Sequence, residues 1–243
     1  MRTDQEEAAE KLRHYGFPAL PVVDEQGRLV GILRADDVLD VQVEEATEDI
    51  FLQVGLAAEA SALSPVREAL QRRTPWLFAN LVIGFFSALI VSFFQDTIDR
   101  VAVLAAFMPI VAGHGGNTGC QTTTLVVRGM ALGEITRRDM FLVVAKEVSF
   151  GVMYGALAGL LSGGLAYILT HNLVMTAIVF VAMMGNIILA TLGGALIPQI
   201  LRALGVDPAL ASTVWLTTFT DWIGFLLLLG LGTVMVDRLQ VPH

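Results

Sequence analysis

One acidic residue stands in the middle of an apolar stretch: Asp221, within ALASTVWLTTFTDWIGFLLLLGLGT. An ionisable group near the centre of a membrane helix costs about 2.5–3.5 kcal/mol on insertion scales, so it usually faces a cavity or a partner. No Lys or Arg lies in the same stretch as a counter-charge. Thr213, Thr217 and Asp221 follow one another at intervals of four, and Thr220 adjoins the acid. On a helix that spacing makes one polar stripe. The stripe suits a carboxylate that attracts a cation. The structural alternative is an aspartic acid held uncharged by hydrogen bonds within a helix bundle.

A second interruption is AGHGGNTGCQT at 112–122, which follows the apolar run VAVLAAFMPIV. Pro109 lacks an N–H and loosens a helix at that point. Irregular backbone at membrane depth is tolerated where it lines a wet cavity, and broken helices of transporters offer backbone groups to ions this way. The expectation is a broken helix in which Gly115, Gly116 and Asn117 turn carbonyls and a side-chain amide toward a pathway, with Gln121 on the same side. The alternative is a packing kink between helices.

Carboxylate, amide and carbonyl oxygens suit hard cations such as Mg²⁺ and Ca²⁺. Mg²⁺ parts with water reluctantly and is commonly held through its hydration shell by one or two carboxylates. One aspartate per chain, doubled by a two-fold axis, meets that demand. His114 and Cys120 offer a rival: two copies of each would make a His₂Cys₂ zinc set. They lack the close ligand spacing of such sites, and a pore-side histidine with a small packed cysteine is the plainer reading.

These residues need a membrane to sit in. The 243-residue chain is 55% hydrophobic and 16% charged, with a mean hydropathy of +0.68. Residues 1–75 carry 8 Lys and Arg against 15 Asp and Glu, a net of −7, whereas residues 76–243 carry 7 against 8, a net of −1. An acidic head thus precedes a nearly neutral apolar body. That acidity speaks against nucleic acid as a partner, and one cysteine excludes an intrachain disulfide. No nucleophile–base set or phosphate loop appears, so an enzyme is not expected. Met1–Glu10 is polar and acidic, unlike a signal peptide.

The body divides into five apolar spans, near Leu77–Phe94, Val101–Val127, Met140–Leu169, Leu173–Ile200 and Pro208–Val236. Each reaches the roughly 17–20 residues that a membrane helix needs. With the head inside, Arg72, Arg73, Arg128, Arg137, Arg138 and Arg202 fall on the inner side, and Arg100 and Arg238 on the outer. That bias predicts an N-terminus inside and a C-terminus outside. Gly151, Gly155, Gly159 and Gly163 recur every fourth residue, a face on which another helix can pack closely. Lys146 and Glu147 near the start of that span are expected at the interface or paired.

In the head, Asp4–Tyr15 has helical patterning with Ala8, Leu12 and Tyr15 on one side. ALPVVD, the turn EQGR and LVGILR read as two hairpin strands, and ADDVLDVQVEEATEDIF as a helix. About forty residues rarely make a stable core alone, so the head is expected to need a partner. Residues 36–49 hold seven carboxylates and no basic residue. Asp37, Asp40, Glu44 and Glu48 would share one helical face and repel one another. Such a face is either simply solvated or a sensor that divalent ions neutralise. Ser64-Pro65 marks a helix start with Pro at the first position, and Pro75-Trp76 the point where the chain enters the bilayer, with Trp76 an interfacial anchor.

At these residues the sequence resembles the MgtE family of magnesium channels and transporters. PIVAGHGGNTGCQTTTLVVRGMALGEI, Pro109–Ile135, is similar to the family's glycine-rich second-helix signature. DPALAS…TTFTDWIG, Asp207–Gly224, is a second match. ALPVVDEQGRLVGILRADDVLD…EEATEDI looks like the closing half of a cystathionine-β-synthase (CBS) domain and the start of a connecting helix. The resemblance implies a mainly α membrane protein with five transmembrane helices per chain, preceded by a partial α/β CBS half-domain and a connecting helix. It divides the chain into a partial cytoplasmic CBS domain at 1–42, a connecting or plug helix at 43–74 and a pore domain at 75–243.

The resemblance further implies a homodimer in a bacterial inner membrane, with Mg²⁺ passing along the dimer axis between second and fifth helices. Asp221 matches the family's pore aspartate, and Gly116, Asn117, Thr213 and Thr217 fall in the pore-lining stretches. Asp4, Glu6, Asp37, Asp40, Glu45, Glu48 and Asp207 match regulatory acids through which internal Mg²⁺ closes the pore. The family's acidic N-terminal domain and first CBS domain have no counterpart in this sequence. TVW at 213–215 replaces a more usual Gly-Pro-Phe-like stretch. ATP is not expected at the CBS remnant, because Arg34 occupies the hydroxyl position of the nucleotide pattern running from Gly31 to Asp37. Competing expectations are a secondary transporter of another ion, such as Co²⁺, Zn²⁺ or an anion, and a membrane sensor that transports nothing.

Overall fold

The computed structural model describes residue 8, residues 11–12, 14–36, 47–48, 50–56, 61–136, 138–208 and 213–239. They fall into two compact units, with the boundary near Ser64 and Pro65.

In the first unit the expected hairpin is present. Strand β1, Ala19–Val23, pairs antiparallel with β2, Leu29–Arg34, in a register that sets Leu20 opposite Leu33 and Pro21 opposite Ile32. Asp24 builds the turn. Its carboxylate accepts the backbone N–H of Gln26 at 3.0 Å and of Arg28 at 2.9 Å, while Arg28 Nε donates to the other oxygen at 2.8 Å. Gly27 takes the positive φ of 76° that the turn requires. Leu12 is buried against Leu20 and Leu33, as its place on the helical face predicts. Tyr15 departs from expectation: it is 65% exposed and stacks on Phe17. The helix ends beside it at Gly16, whose φ of 64° turns the chain away. Leu29, Val30 and Ile32 are also exposed.

The second unit is helical. Helix α1 is Val66–Ser92, followed by a short α2, Gln95–Arg100. Then come α3, Val103–Ala131; α4, Met140–Thr170; α5, Leu173–Ala203; α6, Thr213–Val234; and a four-residue α7, Val236–Leu239. Pro65 is the residue before α1 rather than its first residue. Pro75 does not end the helix either: α1 runs through it, so residues 66–74 continue into the apolar stretch without a break. The cost is one missing backbone bond. Helices α1, α4, α5 and α6 are long and apolar enough to cross a membrane. The expectation of five spans is therefore met on composition for four, because α3, although 29 residues long, carries too many polar residues and glycines.

The glycine register explains how α4 meets α5. A Cβ at Gly159 would lie 3.0 Å from the Phe180 carbonyl oxygen, and one at Gly163 3.0 Å from that of Thr176. Hydrogen atoms on this face let two backbones approach as larger side chains would not. The turn between them uses His171 in the left-handed conformation, and then Asn172, whose side chain accepts from Val174 N at 2.8 Å and Met175 N at 3.3 Å. That is an N-cap for α5. The main apolar core joins Leu104, Phe107 and Val111 of α3 to Ile178, Val179 and Met183 of α5, with Leu228 and Leu229 of α6 closing it.

Candidate functional site

Helix α3 is continuous from Val103 to Ala131, so the expected break does not occur. The glycines are helical, and none has a positive φ. Three of them, Gly115, Gly116 and Gly119, lie against close neighbours on α5 and α6. A Cβ at Gly115 would overlap the Asn186 amide of α5. One at Gly116 would lie 3.1 Å from Thr217 Cγ2 of α6, and one at Gly119 2.9 Å from Leu216 Cδ2 and 3.3 Å from the Ala190 carbonyl oxygen. Gly116 is thus buried at a helix crossing, and the backbone carbonyls of this stretch remain in the helical ladder.

The opposite face of α3 carries the polar side chains outward. Ala106, Pro109, Gly113, Asn117, Gln121, Thr124 and Arg128 are all exposed, at intervals of three or four. The strip covers about 33 Å at 1.5 Å per residue, near the thickness of a hydrocarbon core. Its chemistry differs from that of α4, whose exposed residues include Met153, Leu157, Leu160, Leu161 and Ile168. The α4 face suits lipid. The α3 face, small and polar along its length, suits water or another protein surface.

Asp221 lies on α6 between Thr217, which meets Gly116, and Gly224, whose Cβ would lie 3.2 Å from Val111 Cγ1. It therefore stands level with the 111–116 portion of α3. The carboxylate is half-buried, and among the described residues it has neither a hydrogen-bond nor an ion-pair partner. Thr217 is half-buried and donates back to Val214 O at 3.0 Å, and Thr220, fully buried, donates to Thr217 O at 2.8 Å. Those bonds use the threonine hydrogens and leave oxygen lone pairs available. Thr213 is the first residue of α6. On the far side of α6, Trp222 Nε1 donates to Ser87 Oγ of α1 at 2.8 Å. The polar stripe and the exposed strip of α3 thus flank one crossing, Gly116 on Thr217.

Other expected site residues are dispersed or lie outside the described residues. Asp4, Glu6, Asp37, Asp40 and Glu45 belong to the latter. Glu48 is half-buried and Asp207 exposed. His114 is exposed, and its Nδ1 sits 3.1 Å from Ile110 O, while Cys120 is half-buried and lies six residues on, about 240° around the helix. Among the described residues, no three His, Cys, Asp or Glu side chains gather to hold a metal ion.

Asn186 and Glu147 are buried polar groups whose partners were not expected. Asn186, in VAMMGNIILA, is fully enclosed and donates Nδ2 to Val111 O at 2.9 Å. Glu147 is 7% exposed and accepts from Thr122 Oγ1 at 3.0 Å, with no cationic partner among the described residues. Among the described residues it is thus hydrogen-bonded and not ion-paired. An amide or acid inside an apolar run was the available signal for both, but their partners lie 75 and 25 residues away.

Residues 108–231 match the family model described as divalent cation transporter, MgtE, and residues 2–44 match the CBS domain model. The chain is 38% identical over 238 residues to the magnesium transporter MgtE of Thermus thermophilus and 35% identical over 236 to that of Bacillus subtilis, in each case covering 97% of this chain and 52% of the relative. It is 32% identical over 233 residues to the magnesium transporter MgtE of Enterococcus faecalis, covering 96% of this chain and 51% of that relative. The chain spans about half the length of the curated relatives it matches.

Proposed function

The chain belongs to the MgtE family of divalent cation transporters, and from that premise we propose that it conducts Mg²⁺ across the membrane along an axis shared by two copies of itself. The observation that carries the proposal is the outward strip of α3. A helix this long with small and polar residues on its exposed face is unstable against lipid, and a second copy related by a two-fold axis would cover it. In that arrangement α3 is the second of five spans, and the two strips and the two Asp221 carboxylates border one wet passage.

Mg²⁺ travels with its inner water shell. The paired Asp221 carboxylates attract the ion and centre it by charge. The Asn117 amide and the Thr217 and Thr213 hydroxyl oxygens receive its waters, and Gly116 keeps α3 and α6 close enough to act together. The distribution of arginines supports an N-terminal head inside and a C-terminus outside. Under a negative-inside potential the ion moves inward, at about 2.3 kcal/mol per charge per 100 mV. Asp4, Glu6, Asp37, Asp40, Glu45 and Glu48 in the head, with Asp207 near the membrane surface, form the acidic set through which internal Mg²⁺ closes the passage: neutralised by the ion, they cease to repel one another.

The test is Mg²⁺ uptake into vesicles holding the purified full chain, beside Asp221→Ala. The expected result is uptake by the wild type and a loss of at least about a hundredfold in the variant, with dimer and folding unchanged, since two carboxylates are removed from one ion. Full uptake by Asp221→Ala would refute the site. Co²⁺ or Zn²⁺ carried in preference to Mg²⁺ would favour the soft-ligand reading through His114 and Cys120. A wild type that moves no ion would favour the sensor.

A further inference from the structure

Glu147 takes no part in the ion path described above, yet it is a carboxyl group enclosed among membrane helices. An ionisable group in that position usually has a specific task. Its one hydrogen bond from the described residues comes from Thr122 Oγ1 of α3 at 3.0 Å, and both side chains are buried. Around them the helices meet backbone to backbone. A Cβ at Gly194 of α5 would lie 2.7 Å from the Gly119 carbonyl oxygen and 3.0 Å from Thr122 Cβ, and one at Gly151 of α4 would lie 3.3 Å from Ile188 Cα. Thr123 Oγ1 donates to Gly194 O at 3.3 Å in the same layer.

We propose that Glu147 is a positioning residue: by accepting the Thr122 hydroxyl it sets the rotation of α3 about its axis and so aims Asn117 outward. The inference rests on the reading of α3 as a wall of the ion passage. Thr122 and Asn117 are five residues apart, which is about 140° around the helix at 3.6 residues per turn. Anchoring Thr122 toward α4 therefore turns Asn117 toward the other side, where it is exposed. The glycines at this level limit how close the helices come but do not by themselves resist rotation, because a surface of hydrogen atoms has no ridge to lock. The Thr122 hydrogen bond adds an angular constraint toward α4, beside the one Thr123 makes on the Gly194 carbonyl of α5, and a bond made among buried groups is costly to leave unmade.

The experiment uses the full chain in liposomes with Thr122→Val, Glu147→Leu, Glu147→Gln and the double variant Thr122→Val/Glu147→Leu. Thr122→Val and Glu147→Leu should each lower Mg²⁺ flux about tenfold, the worth of one buried hydrogen bond, and the double variant should be no worse than Glu147→Leu. Glu147→Gln keeps an acceptor oxygen and should restore flux to within about threefold of wild type. A second readout needs no flux: Asn117→Cys in a Cys120→Ala background, labelled with a small water-soluble thiol reagent. Labelling should slow by about the same factor with Thr122→Val and return with Glu147→Gln. Glu147→Gln as damaged as Glu147→Leu would overturn the proposal, since charge and not hydrogen bonding would then matter. So would Thr122→Val behaving as wild type in both readouts. A wild-type chain without flux would sink the transport reading alone, and the labelling series would still decide the role of Glu147.

Discussion

Asn186 of α5 reaches into α3 and donates its Nδ2 to the Val111 carbonyl at 2.9 Å, with 0% of its surface exposed. Two glycines make the space: Gly115 of α3, where a Cβ would overlap the amide, and Gly224 of α6, where a Cβ would lie 2.9 Å from Nδ2. One side chain therefore joins the three helices just where Asp221 stands. Gly115→Ala should destabilise the protein by about 1–3 kcal/mol through overpacking. In an Asn186→Ala background the same change should cost at least about 1 kcal/mol less, because the two share one space. Thermal unfolding in detergent measures both. Strictly additive costs would show that Gly115 does not exist to admit Asn186.

The α4–α5 seam permits an internally controlled comparison. Gly163 faces the Thr176 carbonyl oxygen, whereas a Cβ at its neighbour Gly164 would meet nothing within 4 Å. Gly163→Ala should lower stability by about 1–3 kcal/mol, since a backbone oxygen cannot yield as a side chain does. Gly164→Ala should be neutral or stabilising by up to about 1 kcal/mol through helix propensity. Equal effects at the two positions would contradict the seam.

In the head, the Asp24 carboxyl is held below its ordinary value of 3.8, chiefly by the Arg28 backbone N–H and also by the Arg28 side chain and the Gln26 backbone. A group whose folded pKa is lowered contributes stability above its unfolded pKa and loses it as pH falls through the folded value. The turn should thus be unchanged between pH 7 and 5 and loosen only below pH 3.8. The ¹⁵N-labelled Arg28 amide of the full chain in micelles reports this. A shift centred near pH 5 would disprove the bonding pattern, and Asp24→Ala should abolish the transition.

Along the α3 strip, Asn117→Ala and Gln121→Ala should each reduce Mg²⁺ flux by about tenfold, the loss of one hydrogen bond to the ion's water shell. Neither should change thermal stability, because both side chains are exposed in the protomer. A drop in melting temperature with flux intact would instead mark this face as a packing surface.

Much of the architecture was legible from residue order. The helices α4 and α5 begin where the hydropathy predicts, at Met140 and Leu173, and the hairpin strands fall on the two runs read as strands. Asp221 stood out because a charge in an apolar run is visible without a partner. The same logic misread the glycines of 112–122. Glycine in a membrane helix signals either a broken backbone or a close neighbour, and composition cannot separate these because the difference lies in another helix.

Residue order by itself determined that an acidic head precedes a series of apolar helices, with Asp221 and one glycine-rich polar stretch interrupting the apolar runs. Those properties repeat at short intervals and need no knowledge of neighbours. Tertiary structure alone decided that Gly115 makes way for Asn186, that Glu147 receives Thr122, and that Asn117 faces out while Gly116 faces in. Contacts between helices depend on rotation and approach, and these are set jointly by residues scores of positions apart.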